Sequence, residues 1–391
     1  MINHFNSIVI GGGVIGLTAA IGMKMNVDNV ALIDAGSMSV NTDKHDPRVY
    51  AINHASEQLF KKLGVWQLLD TDRIKPYRGM KVFDSTTDAN IEFDSRMTGS
   101  NKLGFIIEES ILKKALLSRA GVLGIELIVN QPVTNVVTSK EKTTVSCEHQ
   151  SYDTDLLLVA DGGQSKTRTL LNVPVTQWSY HQHAVVTRVE TEYSHQHAAW
   201  QVFNPDGPLA FLPLANEKQC SIVWSTKPNR AKSLVSMSEL EFNHAIESAF
   251  QSKLGTCRVL EQRIHFPLNM RHVKQYAGEN WLLMGDAAHT IHPLAGLGLN
   301  LGLEDVATWL EMVEQNNRPV NSKTKLAVYQ RNRKAQVWKM ILAMQGLKSV
   351  FSSAILPVKT IRGAGLQAIN HMPLMKKFFI AQASGIRKPI F

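Results

Sequence analysis

Ser7-Ile8-Val9-Ile10-Gly11-Gly12-Gly13-Val14-Ile15-Gly16 is the stretch that sets the reading of this chain. Its first four residues form a short apolar strand, and Val14 to Met25 form a small-residue, apolar helix without proline, so the glycines fall at a strand-to-helix turn. In that setting Gly11 permits the tight turn, Gly13 lets a pyrophosphate approach the backbone, and Gly16 lets the helix lie close to the strand. Free amides at the helix start face the phosphate charge. Val30-Ala31-Leu32-Ile33 reads as a second strand, and Asp34 at its end is placed to hold ribose hydroxyls. Residues 5–35 therefore read as a βαβ unit for a dinucleotide rather than as an ordinary glycine turn.

Two further runs lie far downstream. Ala160-Asp161-Gly162-Gly163-Gln164-Ser165-Lys166-Thr167-Arg168 follows the apolar strand 156–160. Gly285-Asp286-Ala287-Ala288-His289 follows a second apolar strand, 281–284, and leads to His292-Pro293-Leu294-Ala295-Gly296. Each dipeptide alone is more often a turn. In this order and with these flanks, the three runs indicate a flavin adenine dinucleotide (FAD) site drawn from the whole length of the chain. The set resembles the Asp-Gly and Gly-Asp motifs of single-component FAD aromatic hydroxylases with a parahydroxybenzoate-hydroxylase-like fold. More narrowly, it resembles the ubiquinone-biosynthesis FAD-dependent hydroxylases of the UbiH, UbiF and UbiI type. Pro47-Arg48-Val49-Tyr50-Ala51-Ile52-Asn53 is similar to that family's arginine segment, and residues 286–301 to its flavin-ring segment. Met344-Gln345-Gly346 is similar to part of its carboxy-terminal helices. Residues 210–214 and 220–225 are similar to its substrate strands, most of all to those of the UbiI type, which hydroxylates ring carbon 5.

Residues 180–226 alternate polar and apolar positions, as an antiparallel sheet does, and residues 79–83 and 90–94 read as a hairpin. Helices are expected at 55–70 and 109–120. The fold class is then α/β: a Rossmann-like FAD-binding domain (1–75, 98–176 and 270–335) with an inserted, mostly antiparallel β substrate domain (76–97 and 177–269). A basic helical C-terminal region (336–391) follows.

The resemblance implies an aromatic-ring monooxygenase acting on a polyprenylated phenol or benzoquinol of ubiquinone biosynthesis. It implies FAD, O2 and NAD(P)H or another electron donor, with a flavin C4a-hydroperoxide as the oxygen donor in a dry site. Cofactor contacts then fall to Gly11, Gly13, Gly16, Asp34, Arg48, Asp161 and Gly162. Gly285, Asp286, Pro293, Gly296, Leu297, Gly298, Leu299 and Asn300 complete them. His289 and His292 are candidates for proton transfer, with structural histidines satisfied by backbone carbonyls as the plainer reading, and Pro293 borders the flavin ring. Phe211, Pro213 and Trp224 are candidates for the substrate cavity, with simple core as the plainer reading. Two positions depart from the family: Leu297 stands where it reads Gln, and Glu109 where relatives carry Asn or Arg. A carboxylate beside a pyrophosphate is repelled, so Glu109 is expected to point elsewhere or to cap the helix that follows it.

Of 391 residues, 44% are hydrophobic and 19% charged, enough for a sizeable core. No run of about 18 uncharged apolar residues predicts a spanning helix, and the first strand begins too early for a secretory signal. The three cysteines are far apart, without metal-ligand spacing, as in a reduced cytoplasmic protein. Charge is uneven: residues 315–391 hold 14 Lys and Arg and no acid, which against +9 for the whole chain leaves −5 for residues 1–314. With Phe378 and Phe379 after Lys376 and Lys377, the tail suits an anionic membrane face or association with a quinone-synthesis complex, and equally a packed helical tail whose lysines face water or an acidic partner surface. No nucleic-acid module accompanies the charge. Two alternatives stay open: another flavin oxidoreductase on this fold, and a non-catalytic, FAD-containing subunit of a quinone-synthesis complex.

Overall fold

The computed structural model describes residues 3–87, 89–291, 296–315, 319–352, 365, 367–368 and 370–385. Its first sheet is built on parallel strands. β1 (Asn3–Ile10) lies between β2 (Val30–Ile33) and β11 (Ser151–Val159); β8 (Glu126–Ile128) adds beyond β2 and β19 (Trp281–Leu283) beyond β11, all parallel. β18 (Ala277–Gly278) and the hairpin of β9 (Val133–Thr138) and β10 (Thr143–Cys147) extend it antiparallel. The central strands are buried and are near-continuous runs of Val, Ile and Leu, as parallel strands covered on both faces require.

Register explains why distant motifs meet. Ile10 pairs with Ile33 on one side and with Val159 on the other, and Val159 pairs with Leu283. Four parallel strands thus end on one line, so the chain leaving each of them enters the same crevice at the sheet's carboxyl edge. Gly16 brings helix α1 (Val14–Lys24) onto that edge, because a Cβ there would collide with the Gly11 carbonyl oxygen. α1 packs in turn against α3 (Glu109–Val122) and α7 (Leu297–Glu314).

The second sheet runs β20 (His289–Thr290), β17 (Ile264–Val273), β12 (Val175–Thr191), β15 (Gln219–Thr226), β14 (Gly207–Pro213), β13 (Ala198–Asn204), β5 (Gly79–Asp84) and β6 (Asn90–Asp94), with β16 (Cys257–Val259) beside β12. Its pairs are antiparallel except β13 with β5, which shows that the early hairpin joins from another part of the chain. Helices α5 (Pro228–Ser236) and α6 (Glu239–Ala249) supply Leu234, Phe242 and Ile246 to a separate core on one face of this sheet. A small antiparallel sheet of β3 (Val49–Ile52), β7 (Gly104–Glu108) and β4 (Lys75–Tyr77) stands between the two large ones in sequence.

Two helix expectations change. The helix expected at 55–70 is α2 (His54–Lys62), which stops at Leu63 because Gly64 turns left-handed (φ +71°), and only a 3-10 turn follows at Trp66–Leu68. The apolar run 337–344 belongs to α8 (Lys323–Ser352), a helix of 30 residues that crosses the boundary expected at 336. Its inward stripe of Leu326, Tyr329, Arg333, Val337, Ile341 and Met344 is buried at helical spacing, so both halves pack on the same core. α4 (Lys166–Leu170) follows the Asp161 turn, and α9 (Pro373–Ala383) ends the described chain. Within the C-terminal region expected to be helical, the apolar run 355–361 lies outside the described residues.

Candidate active site

The crevice opens into one cavity of about 560 Å³. Gly13 after β1, Gly162 after β11 and Asp286 after β19 share its wall, and it continues between the small sheet and the face of the second sheet opposite α6. A Cβ placed on Gly13, Gly162 or Gly298 would meet no protein atom within 4 Å, so these three backbones border open space. Asp161 donates nothing and accepts on one side only. Its Oδ2 takes the Thr167 amide at 3.1 Å, whereas Oδ1 is buried without a partner among the described residues. Asp34 accepts from the amides of Gly12 (2.5 Å) and Gly36 (2.7 Å) at the end of β2. Bare backbone at three glycines and a helix N-terminus on one crevice, with the half-satisfied Asp161 carboxylate next in sequence to the lining Gly162, fit an extended, hydroxyl-rich dinucleotide.

Asp286 sits deep in the concavity: its side chain is exposed to the cavity yet surrounded by protein. That desolvation pushes its carboxyl up, against the pull of His289, Arg48 and Arg271. Behind the wall lies a network that the sequence reading missed. Asp305 on α7 accepts from the Gly285 amide at 2.8 Å and from Arg333 Nε of α8 at 2.5 Å, and His289 Nε2 lies 2.7 Å from it. Burial alone would raise the Asp305 carboxyl, but His289 and Arg333 hold it below the ordinary carboxylate range. His289 is therefore committed to a buried carboxylate and stacks on Tyr276, behind the wall rather than on it. The available signal was Arg333, a cation at a core position of an otherwise apolar helical stripe.

Glu109 requires a correction. Its side chain does not turn away; it lines the cavity, where Oε2 accepts from Arg48 Nη1 at 3.0 Å and from the Tyr50 hydroxyl at 2.9 Å. Burial, with the Glu109 charge beside it, pushes the Tyr50 phenol up, so it stays protonated and donates. The expected capping of α3 is done instead by Asp46, whose Oδ2 accepts from the Ser110 amide at 3.1 Å.

The substrate candidates are displaced by one position. Phe211 and Trp224 point to the other face of the second sheet, into the core with α6, where Phe211 stacks on Phe250 with ring centroids 3.9 Å apart. Pro213 shares the buried phase of Phe211 on β14. The neighbouring residues line the cavity: Ala210 and Leu212 on β14, and Ser221, Val223 and Ser225 on β15. Ala210 pairs with Val223 and Leu212 with Ser221 across the ladder. Side chains alternate faces along a strand, so the aromatics fill the core and the smaller residues leave the hollow.

Gly285, Gly296, Gly298 and Leu299 line the cavity, as does Arg48. Asn300 does not: its amide donates to the Ala51 carbonyl (2.6 Å) and its oxygen accepts from the Ser56 hydroxyl (2.8 Å), pinning α7 to the small sheet. His292 and Pro293 lie outside the described residues, and Leu297 is placed in its backbone alone.

A family model described as an FAD binding domain matches residues 4–343. A mitochondrial ubiquinone biosynthesis monooxygenase of Danio rerio is 31% identical over 97% of this chain and 90% of its own length. The 3-demethoxyubiquinol 3-hydroxylase of Escherichia coli is also 31% identical, over 97% of this chain and 98% of its own. Among solved structures, p-nitrophenol 4-monooxygenase of Pseudomonas putida superposes with a TM-score of 0.82 at 16% identity, covering 99% of this chain and 100% of that one. A Diels-Alderase of pyrroindomycin biosynthesis does so with a TM-score of 0.74 at 17% identity, over 97% of this chain and 80% of that one. At such identities the likeness speaks for the fold, which hosts more than one chemistry.

Proposed function

The chain belongs to the FAD-binding ubiquinone-biosynthesis hydroxylases, and from that premise we propose that it inserts one oxygen atom into the ring of a polyprenylated phenol or quinol. It is an FAD-dependent monooxygenase, with NAD(P)H or another reductant as the proposed electron source. The observation that carries the reading is that Gly13, Gly162 and Asp286 share one cavity with Ala210 and Val223. Bound FAD supplies the chemistry that activates dioxygen and delivers the oxygen atom. The chain's own part is placement and exclusion of water. The amide end of α1 and the open backbone at Gly13 would hold the diphosphate, and Asp286 the ribityl chain. Ala210, Leu212 and Val223 form an apolar chamber in which a phenol ring fits and water is poorly held. No side chain is assigned as general base.

Ile264 and Phe266 line the same cavity and are 39% and 38% exposed, so its apolar wall reaches the surface where a prenyl tail could leave. No helix among the described residues is long and apolar enough to cross a membrane. α9 nevertheless presents exposed Leu374, Met375, Phe378 and Phe379 in the cationic tail, which suits the face of an anionic bilayer. Full-length protein is expected to cosediment with anionic vesicles and Phe378→Ser with Phe379→Ser to lose most of that binding; equal cosedimentation would rule α9 out as the contact.

The functional test is substrate-dependent uptake of isotopically labelled dioxygen by the purified holoprotein supplied with a prenylated phenol and with NAD(P)H or a chemical reductant of the flavin. The reading requires one labelled oxygen atom in the ring of the product. Flavin oxidation that yields only hydrogen peroxide with every prenylated phenol tried would reject it.

A further inference from the structure

We infer that Glu109 sets how tightly this chain holds the diphosphate of its cofactor, by cancelling Arg48 on the cavity wall; the inference rests on the flavin reading above. The charged side chains among the described lining residues are Arg48, Glu109 and Asp286. One cation and two carboxylates give this wall a net negative charge, although an FAD diphosphate brings two negative charges of its own. Arg48 is the group on the wall suited to phosphate, because a guanidinium matches phosphate oxygens in a bidentate fork. It is held at 3.0 Å by Glu109, whose same oxygen also takes the Tyr50 hydroxyl. The Arg48 side chain is 62% exposed and that of Glu109 18%, so the arginine is tethered by a fixed acid rather than buried in its own pocket.

Other cations stand nearby but are engaged elsewhere. Arg168 donates to the carbonyls of Ala287 and Gly163, and Arg271 donates to Gln177 while facing Asp286 from behind the Gly163 turn. Glu109 therefore acts twice against a phosphate: it repels it directly and occupies the arginine that would receive it. Replacing its charge with an amide leaves an oxygen to accept from Tyr50 and Arg48, so the local packing is retained while the repulsion goes.

The test compares full-length protein stripped of flavin with Glu109→Gln and with Glu109→Asp, each titrated with riboflavin, FMN and FAD and followed by quenching of flavin fluorescence. At low salt Glu109→Gln is expected to bind FAD about tenfold more tightly, the order of effect of one partly solvated unit charge. The gain should shrink toward nothing near 1 M salt, where the screening length is about 3 Å. Riboflavin, which has no phosphate, should bind both proteins alike, and Glu109→Asp should follow the wild type. Thermal melting of the stripped variants identifies any misfolded one, and the Asp variant then still reports whether charge alone matters. Unchanged or weaker FAD binding by folded Glu109→Gln, or an equal gain for riboflavin, overturns the inference while leaving the flavin reading intact. A wild-type chain that takes up no flavin defeats both.

Discussion

Asp305 on α7 accepts a 2.8 Å hydrogen bond from the amide of Gly285, the residue before Asp286. The turn that presents Asp286 to the cavity is thus fixed from behind by a buried acid that also balances Arg333, itself fully buried on α8. Asp305→Ala removes the buried partner of that guanidinium and leaves it only the partly exposed Glu304, 3.3 Å away, as an acid, so a loss of about 3 kcal/mol in stability is expected, together with weaker FAD retention. Because the native carboxyl is held low, its contribution is fully present above the unfolded pKa near ~4 and is lost as pH falls through the lower native value. Urea denaturation of the flavin-free protein at neutral and acid pH measures both effects. Equal stability of variant and wild type at neutral pH would show that the network carries no load.

Gly13 and Gly16 lie three positions apart and should fail differently. A side chain at Gly13 enters open cavity, so Gly13→Val is expected to keep the flavin-free fold and melting temperature while losing most bound FAD. A side chain at Gly16 meets the Gly11 carbonyl, so Gly16→Val should disrupt the helix-to-strand contact and the fold with it. Flavin content after purification, set beside the melting curve, separates the two; full occupancy in Gly13→Val would remove the diphosphate from that spot.

Neighbours on β14 face opposite sides of the sheet. Ala210→Phe should fill the chamber, cutting turnover of a prenylated phenol more than tenfold with FAD content unchanged. Phe211→Ala removes a ring from the core beside Phe250 and is expected to cost about 3–5 kcal/mol of stability. Steady-state kinetics and denaturation, run on both proteins, would contradict the strand phase if the two effects were exchanged.

His272 is 3% exposed, its Nε2 finds no partner among the described residues, and burial with His289 and Lys334 pushes it down to about 4. The unfolded chain takes up this proton below about 6.5, whereas the native one waits until about 4, so native stability should fall as pH drops through that window. His195, also depressed by burial, adds to the slope. Substituting His272→Phe should lower the slope by about one proton, about 1.4 kcal/mol per pH unit. An unaltered slope would mean that His272 titrates normally.

The glycine turn, the strand ends and the two later acid motifs were legible because each is local: an apolar run followed by residues that only a turn or a close approach requires. What the sequence could not settle was phase and partnership. Phe211 and Ala210 are adjacent on an apolar strand, and which of them faces the hollow depends on α6 packing on one side, which no local signal specifies. Glu109 looked repulsive to phosphate when considered alone; the ladder pairing of Val49 with Glu108 brings Arg48 and Tyr50 to it and makes its place on the wall tolerable. The length of α8 was hidden because its stripe includes Arg333, which looks like a surface residue until Asp305 is set opposite it.

A crystal structure of the full chain grown with FAD is the most direct measurement of the central claim. The cofactor should lie extended, with its diphosphate at the Gly13 backbone, its ribityl chain at Asp286 and its ring turned toward Ala210 and Val223. Density for FAD that touches only one of these segments, or that lies outside this crevice, would contradict the account.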